Sequence, residues 1–153
     1  MSGATGPAPR HVHQATVVAI GDRALLIEGP PGSGKSSLAL ALIDRGATLV
    51  GDDGLVMEVQ GGRLVARPHP RIAGLLEVRN LGLLPFPHRA QAPVALVVRL
   101  DPDAPRFIEA AERVERAGVP LPLVRLWPDT PMLALRATLA LERYGEQDNS
   151  SLA

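Results

Sequence analysis

Between a β-favouring run, Ala24 to Glu28, and the strongest helix-forming segment, Lys35 to Arg45, the chain reads Gly29-Pro30-Pro31-Gly32-Ser33-Gly34-Lys35-Ser36. This fits G-x-x-x-x-G-K-[ST] without exception, and a strand before it with a helix after it is the context in which that pattern binds phosphate. Glycines permit positive φ and close backbone approach, so successive N–H groups can curl around a phosphate while the start of the following helix adds positive potential. The pattern sends Lys35 to the terminal phosphates and Ser36 to Mg²⁺, with the other loop residues and Ser37 as the phosphate cradle. The basic residues agree with this: fifteen are arginine, and the only lysine is Lys35. A lysine ammonium is a compact point charge on a slim stem, fitting where a planar guanidinium would not.

The rest of the chain suggests one domain around this loop. At 153 residues, 46% apolar, it can bury one core and is too short for two ordinary domains. Residues 1–10 and 145–153 read as disordered tails flanking a domain over 11–144. Ala15 to Ile20 and Ala24 to Glu28 suit a hairpin turned at Gly21-Asp22-Arg23. Thr48 to Val50 and Leu55 to Val59 read as strands, with Gly61-Gly62 turning the chain into Arg63 to Ala66. Leu75 to Arg79, Val94 to Leu100 and Leu123 to Trp127 are further strands; Arg67 to Arg71 and Pro85 to Pro93 are loops. Arg106 to Ala117 suits a helix or a hairpin arm, and Pro131 to Tyr144 a final helix with proline in its first turn. This order predicts an α/β layered domain with a mixed sheet.

Composition excludes several function classes. Without cysteine there is no disulfide, thiolate metal site or thiol nucleophile. Zero formal net charge with scattered arginines argues against a nucleic-acid partner. No apolar run spans a bilayer or serves as a leader, so the reading is cytoplasmic, without membrane attachment.

Gly51-Asp52-Asp53-Gly54 follows the first strand after the loop's helix, where α/β sheets present groups to ligands. Alone it is a polar turn; beside a phosphate site, one carboxylate can hold Mg²⁺ and the other take a proton from an attacking hydroxyl. Two adjacent acids also repel, which raises the pKa of one.

With these elements in order, the chain from about His13 to Tyr144 resembles the catalytic domain of the bacterial HPr kinase/phosphorylase family, in the short form lacking the N-terminal domain. The carriers are His13, the loop Gly29 to Ser36, Asp52-Asp53, and the run Leu76-Glu77-Val78-Arg79-Asn80-Leu81-Gly82-Leu83, which is the most specific. The resemblance implies a P-loop fold of the HPr kinase / phosphoenolpyruvate carboxykinase type and Mg²⁺-dependent phosphorylation of a serine on an HPr-like phosphocarrier protein. It also implies the reverse dephosphorylation by phosphate in many members, and a homo-hexamer. By position, Asp52 would accept the serine proton, with His13 nearby tuning its charge. Asp53 and Glu77 would join Ser36 at Mg²⁺, and Arg79 would compensate phosphate charge.

Asn80 departs from the signature's glycine, Pro30-Pro31 stiffens the loop, and Phe86 to Pro93 is short where longer relatives carry a mobile loop with a catalytic arginine. Arg89 is the only candidate for that arginine. His11 and His13 alternate on a strand, a spacing that more often binds no metal. The donor, ATP or pyrophosphate, stays open. A small-molecule kinase and a non-catalytic nucleotide sensor are the alternatives; the acid pair speaks against the sensor, since binding alone requires no base.

Overall fold

A computed structural model of the chain describes residues 11–147. The first strand, β1 (His11–His13), leads into β2 (Thr16–Ile20) and β3 (Arg23–Glu28). β2 and β3 pair antiparallel about a turn in which Gly21 has φ 64°. Both strands are apolar on both sides, so both of their faces must be covered. From β3 the chain runs through the glycine loop into α1 (Lys35–Asp44) and returns as β4 (Thr48–Asp52), antiparallel to β2 on its far side. β4 therefore points the same way as β3. The loop after β3 and the acids ending β4 emerge at one edge of the sheet.

β5 (Leu55–Gln60) and β6 (Arg63–Arg67) form the second expected hairpin, with β1 pairing to β5. After a 3-10 turn at Pro70–Ile72 comes a separate hairpin, β7 (Leu75–Val78) and β8 (Gly82–Pro85), whose second arm the sequence pattern did not predict. β9 (Ala92–Leu100) is the central strand, parallel to β3 along one edge. Its other edge is shared, first with β6 and then, in parallel, with β11 (Val119–Leu126). α2 (Leu133–Tyr144) ends the fold, which is a mixed α/β sheet as expected.

Alternation along the strands builds two cores. Val18, Leu25, Ile27, Leu96 and Val98 meet α1 and α2 through Leu38, Leu42, Ala137 and Leu141. Val17, Leu26, Val97 and Leu123 face the other way, against Leu55, Met57 and Leu64 from the β5–β6 hairpin. Full burial of each large aliphatic chain contributes about 1.5–3 kcal/mol.

The structure resolves the ambiguity at 106–117: Glu112–Arg116 is β10, the arm of a hairpin with β11. The connection carries positive φ at Ala117 (53°) and Gly118 (80°), the twist a two-residue hairpin turn requires. β11 starts four residues earlier than expected because this pairing recruits Val119 to Pro122. Residues 145–147, read as tail, are tied down: the Glu146 N–H donates to Ala95 O at 2.8 Å, and Arg23 donates to Glu146 O at 3.0 Å. The tail expectations for 1–10 and 148–153 lie outside the described residues. Among the described residues no helix is long and apolar enough to cross a membrane.

Candidate active site

The glycine loop adopts the conformation its composition anticipates. Gly32 and Gly34 have φ of 80° and 103°, a region costly for side chains with a Cβ. Gly34 caps α1 without a side-chain hydrogen bond, so the first-turn N–H groups have no side-chain acceptor at the cap. A Cβ at Gly29 would collide with the Ser33 hydroxyl. The Ser33 N–H turns back to Pro30 O at 3.0 Å, and its buried hydroxyl has no hydrogen-bond partner among the described residues. Lys35 Nζ donates to Gly29 O at 3.0 Å and Pro30 O at 3.4 Å, folding over the loop without a carboxylate partner among the described residues.

The adjacent acids diverge because their backbones differ. Asp52 is the last residue of β4, opposite Thr16 on β2. Its Oδ1 accepts from Thr16 Oγ1 at 2.7 Å, and Ser36 Oγ lies 3.3 and 3.2 Å from its two oxygens. Asp53 has φ 48°, and its N–H donates to Ala15 O at 2.8 Å, which swings its side chain toward open space over the loop. Ser36 was expected to share a cation with Asp53; its hydroxyl contacts Asp52, while Asp53 lines the same cleft as Ser36 without a hydrogen bond to it. The Asp53 pKa is raised above the ordinary value, first by desolvation, then by the Asp52 charge. Lys35 opposes the rise, and Glu77 adds to it.

A cleft of about 610 Å³ opens above the loop. Lys35, Ser36 and Ser37 form one side; Asp53, Glu77 and Arg79 also line it. The β7–β8 hairpin supplies that far wall because fully buried Leu76 anchors it in the core, which turns Glu77 outward. Glu77 and Arg79 form no salt bridge with each other or with any other described residue, so the same-face ion pair that would make them inert is absent. Asn80 has φ 75° in the hairpin turn, which explains why asparagine can stand where the signature has glycine.

Arg89, the candidate for the mobile-loop arginine, is not brought to the loop of its own chain. Its guanidinium donates to Gly21 O at 2.8 Å and lies 3.8 Å from Asp22, at the opposite end of β3 from the loop. Six strand residues separate those ends, about 20 Å at the usual rise. The segment is held there by pairing to β4: Leu49 N–H donates to Pro87 O at 3.0 Å, and Arg89 N–H to Leu49 O at 2.9 Å. His13, in β1, pairs through its backbone with Leu55 of β5, and its side chain lies outside the described part. The same holds for the side chain of His11.

Among the described residues no three acids or histidines gather into a metal cage. The oxygens at hand, from Ser36, Asp52, Asp53 and Glu77, suit Mg²⁺, which takes one or two carboxylates and completes its shell with phosphate and water. Sequence reasoning missed Gln14, which lines the cleft, and Thr16. The available signal for Thr16 was a hydroxyl at the head of an otherwise apolar strand, one hairpin away from the acids.

A strand, glycine loop and helix on a mixed sheet, with carboxylates at the same sheet end, define an α/β protein whose loop carries the P-loop sequence pattern. The chain belongs to the HPr kinase family: the family described as HPr Serine kinase C-terminal domain matches residues 7–113. Similar relatives include HPr kinase/phosphorylase of Mycoplasma mycoides, 28% identical over 113 residues, covering 69% of this chain and 36% of the relative. Another is HPr kinase/phosphorylase of Chlorobium chlorochromatii, 35% identical over 116 residues, covering 67% and 35%. The chain thus spans little more than a third of these relatives' length. The fold matches a structure titled Hpr(Ser) kinase/phosphatase from Coxiella burnetii, with TM-score 0.75 and 24% identity over 86% of this chain and 94% of that one.

Proposed function

We propose that the chain is a Mg²⁺-dependent kinase that transfers the terminal phosphoryl group of ATP to a serine hydroxyl of an HPr-like phosphocarrier protein in the cytoplasm, working as a homo-hexamer. The observation that carries this reading is the cleft itself. Phosphate-binding groups line it together with an acid and an arginine from a separate hairpin, neither ion-paired among the described residues, leaving room for an acceptor between them. The hairpin also exposes Leu81 (69%) and Leu83 (60%), an apolar edge suited to a protein acceptor more than to a metabolite.

In this reading the loop N–H groups and Lys35 hold the phosphates. The serine oxygen bonds to the terminal phosphorus as the bond to the ADP oxygen breaks, and the serine proton passes to Asp52, beside Ser36 at the start of the helix. Ser36, Asp53 and Glu77 would hold Mg²⁺, which when bound neutralises phosphate charge. Arg79 compensates charge building on the transferred group. Reverse transfer to inorganic phosphate uses the same groups, and with Arg89 held at the far sheet end it is expected to be slow.

The test is incubation with labelled ATP, Mg²⁺ and an HPr-like carrier, with the phosphate located by mass spectrometry. Phosphoserine on the carrier supports the reading. Absence of transfer, with intact nucleotide binding, would leave a sensor; transfer only to a small molecule would replace the protein acceptor.

A further inference from the structure

Thr16 is one of two buried polar or charged side chains among the described residues, with 0% exposure, and its hydroxyl donates to a single partner. The register of β2 against β4 places it directly across from Asp52, at the last paired position before the chain turns into Asp53. The bond from Thr16 Oγ1 to Asp52 Oδ1 is 2.7 Å, shorter than either approach of Ser36 to the same carboxylate. A carboxylate on a short side chain has two torsions; fixing one oxygen against a rigid strand fixes where the other points. Here Ser36 Oγ meets the carboxylate so fixed, 3.3 Å from Oδ1 and 3.2 Å from Oδ2.

We propose that Thr16 is a positioning residue for the phosphate site, clamping Asp52 so that its carboxylate takes the Ser36 hydroxyl proton in a hydrogen bond and leaves the Ser36 oxygen turned toward the cation that accompanies the nucleotide. The inference rests on the P-loop reading above and adds a residue to it. Threonine suits this position because its branched side chain stiffens χ1 in a strand, and burial removes water as a competing donor. The backbone supports the arrangement, since the Asp53 N–H is tied to Ala15 O one residue away, so Ala15 and Thr16 together brace both acids. Neither residue lines the cleft, so Thr16 acts only through Asp52 and Ser36.

The experiment is calorimetric titration of ATP with and without Mg²⁺ for the wild type, Thr16→Val and Thr16→Ser, with melting temperatures recorded for each. Outer-shell partners of metal ligands typically contribute about 10- to 100-fold in metal affinity. Thr16→Val is expected to lose about 10-fold of the affinity that Mg²⁺ adds, while metal-free ATP binds as in the wild type. Thr16→Ser, which keeps the hydroxyl, should recover most of it. A purely structural role would lower the melting temperature and both affinities together. If Thr16→Val does not fold, Thr16→Ala against Thr16→Ser makes the same comparison, since both lack the methyl and only one lacks the hydroxyl. A Mg²⁺ increment equal in hydroxyl-bearing and hydroxyl-free variants overturns the inference alone. A wild type that binds no ATP in either condition overturns the P-loop reading and this inference with it.

Discussion

Lys35→Ala offers the most direct test of the phosphate site, because the structure separates what the lysine does for the fold from what it does for a ligand. Among the described residues its ammonium hydrogen-bonds only to the Gly29 and Pro30 carbonyls, and the residue is half-buried, so both carbonyls can turn to water once it is gone. Because the ammonium and both carbonyls are reached by water, and the 3.4 Å approach is weak, the stability cost should be about 1 kcal/mol. For a domain of this size that lowers the melting temperature by about 2–4 °C. Binding is another matter. A hydrogen bond to a charged group contributes about 1.5–3 kcal/mol, so ATP affinity should fall by about 10- to 150-fold. Calorimetry with ATP and with inorganic tripolyphosphate reads this directly, and both ligands should lose the same factor because the lysine faces phosphate. The composition supplies an independent assay: Lys35 carries the only ε-amine in the chain. Reductive methylation followed by mass spectrometry therefore reports on this one side chain, and saturating ATP should slow its modification. Unchanged ATP affinity in Lys35→Ala, together with methylation indifferent to ATP, would refute the assignment of the loop.

Further outcomes follow from the same geometry. Asp52→Asn should keep metal-free ATP binding but lose about 10²- to 10⁴-fold in phosphoryl transfer, measured in a single turnover, because an amide cannot accept the serine proton; wild-type transfer would place the base elsewhere. For Asp53, the folded chain binds its proton more tightly than the unfolded chain, whose pKa is 3.8. Stability therefore falls as pH rises from 3.8 through the raised folded value, and the penalty is complete above it. Asp53→Asn removes that penalty and tolerates the positive φ, so it should melt higher than the wild type near neutral pH, with the gap closing as pH is lowered toward 3.8. A gap that widens in acid would contradict the sign. Leu76→Ala should cost about 2–5 kcal/mol by denaturant unfolding, since this fully buried side chain anchors the hairpin that carries Glu77 and Arg79; a loss under about 1 kcal/mol would mean the wall is held by other contacts.

Local physics made much of the molecule legible in advance. The loop from Gly29 to Ser36 is read from residue types alone because its function depends on backbone freedom at Gly32 and Gly34 and on one charge, all set within a few residues. The same holds for the β2–β3 and β5–β6 hairpins and for α1, where short-range turn chemistry and apolar spacing act without help from distant parts. The divergence of two neighbouring aspartates was not legible, since it depends on Ala15 capturing the Asp53 N–H from across the sheet.

Other outcomes belong to the tertiary structure entirely. Glu112–Arg116 has no decisive period of its own and becomes a strand because β11 offers it an edge. Arg89 looked catalytic by elimination, yet pairing of Pro87 and Arg89 to Leu49 carries it to the far end of β3. Thr16 and Asp52 are 36 positions apart and meet only because β2 lies between β3 and β4. Sequence by itself determined the groups whose chemistry is written in neighbouring residues. Strand order and register decided which distant side chains share the site, because a hydrogen bond between them exists only after the sheet has brought two backbones within about 5 Å.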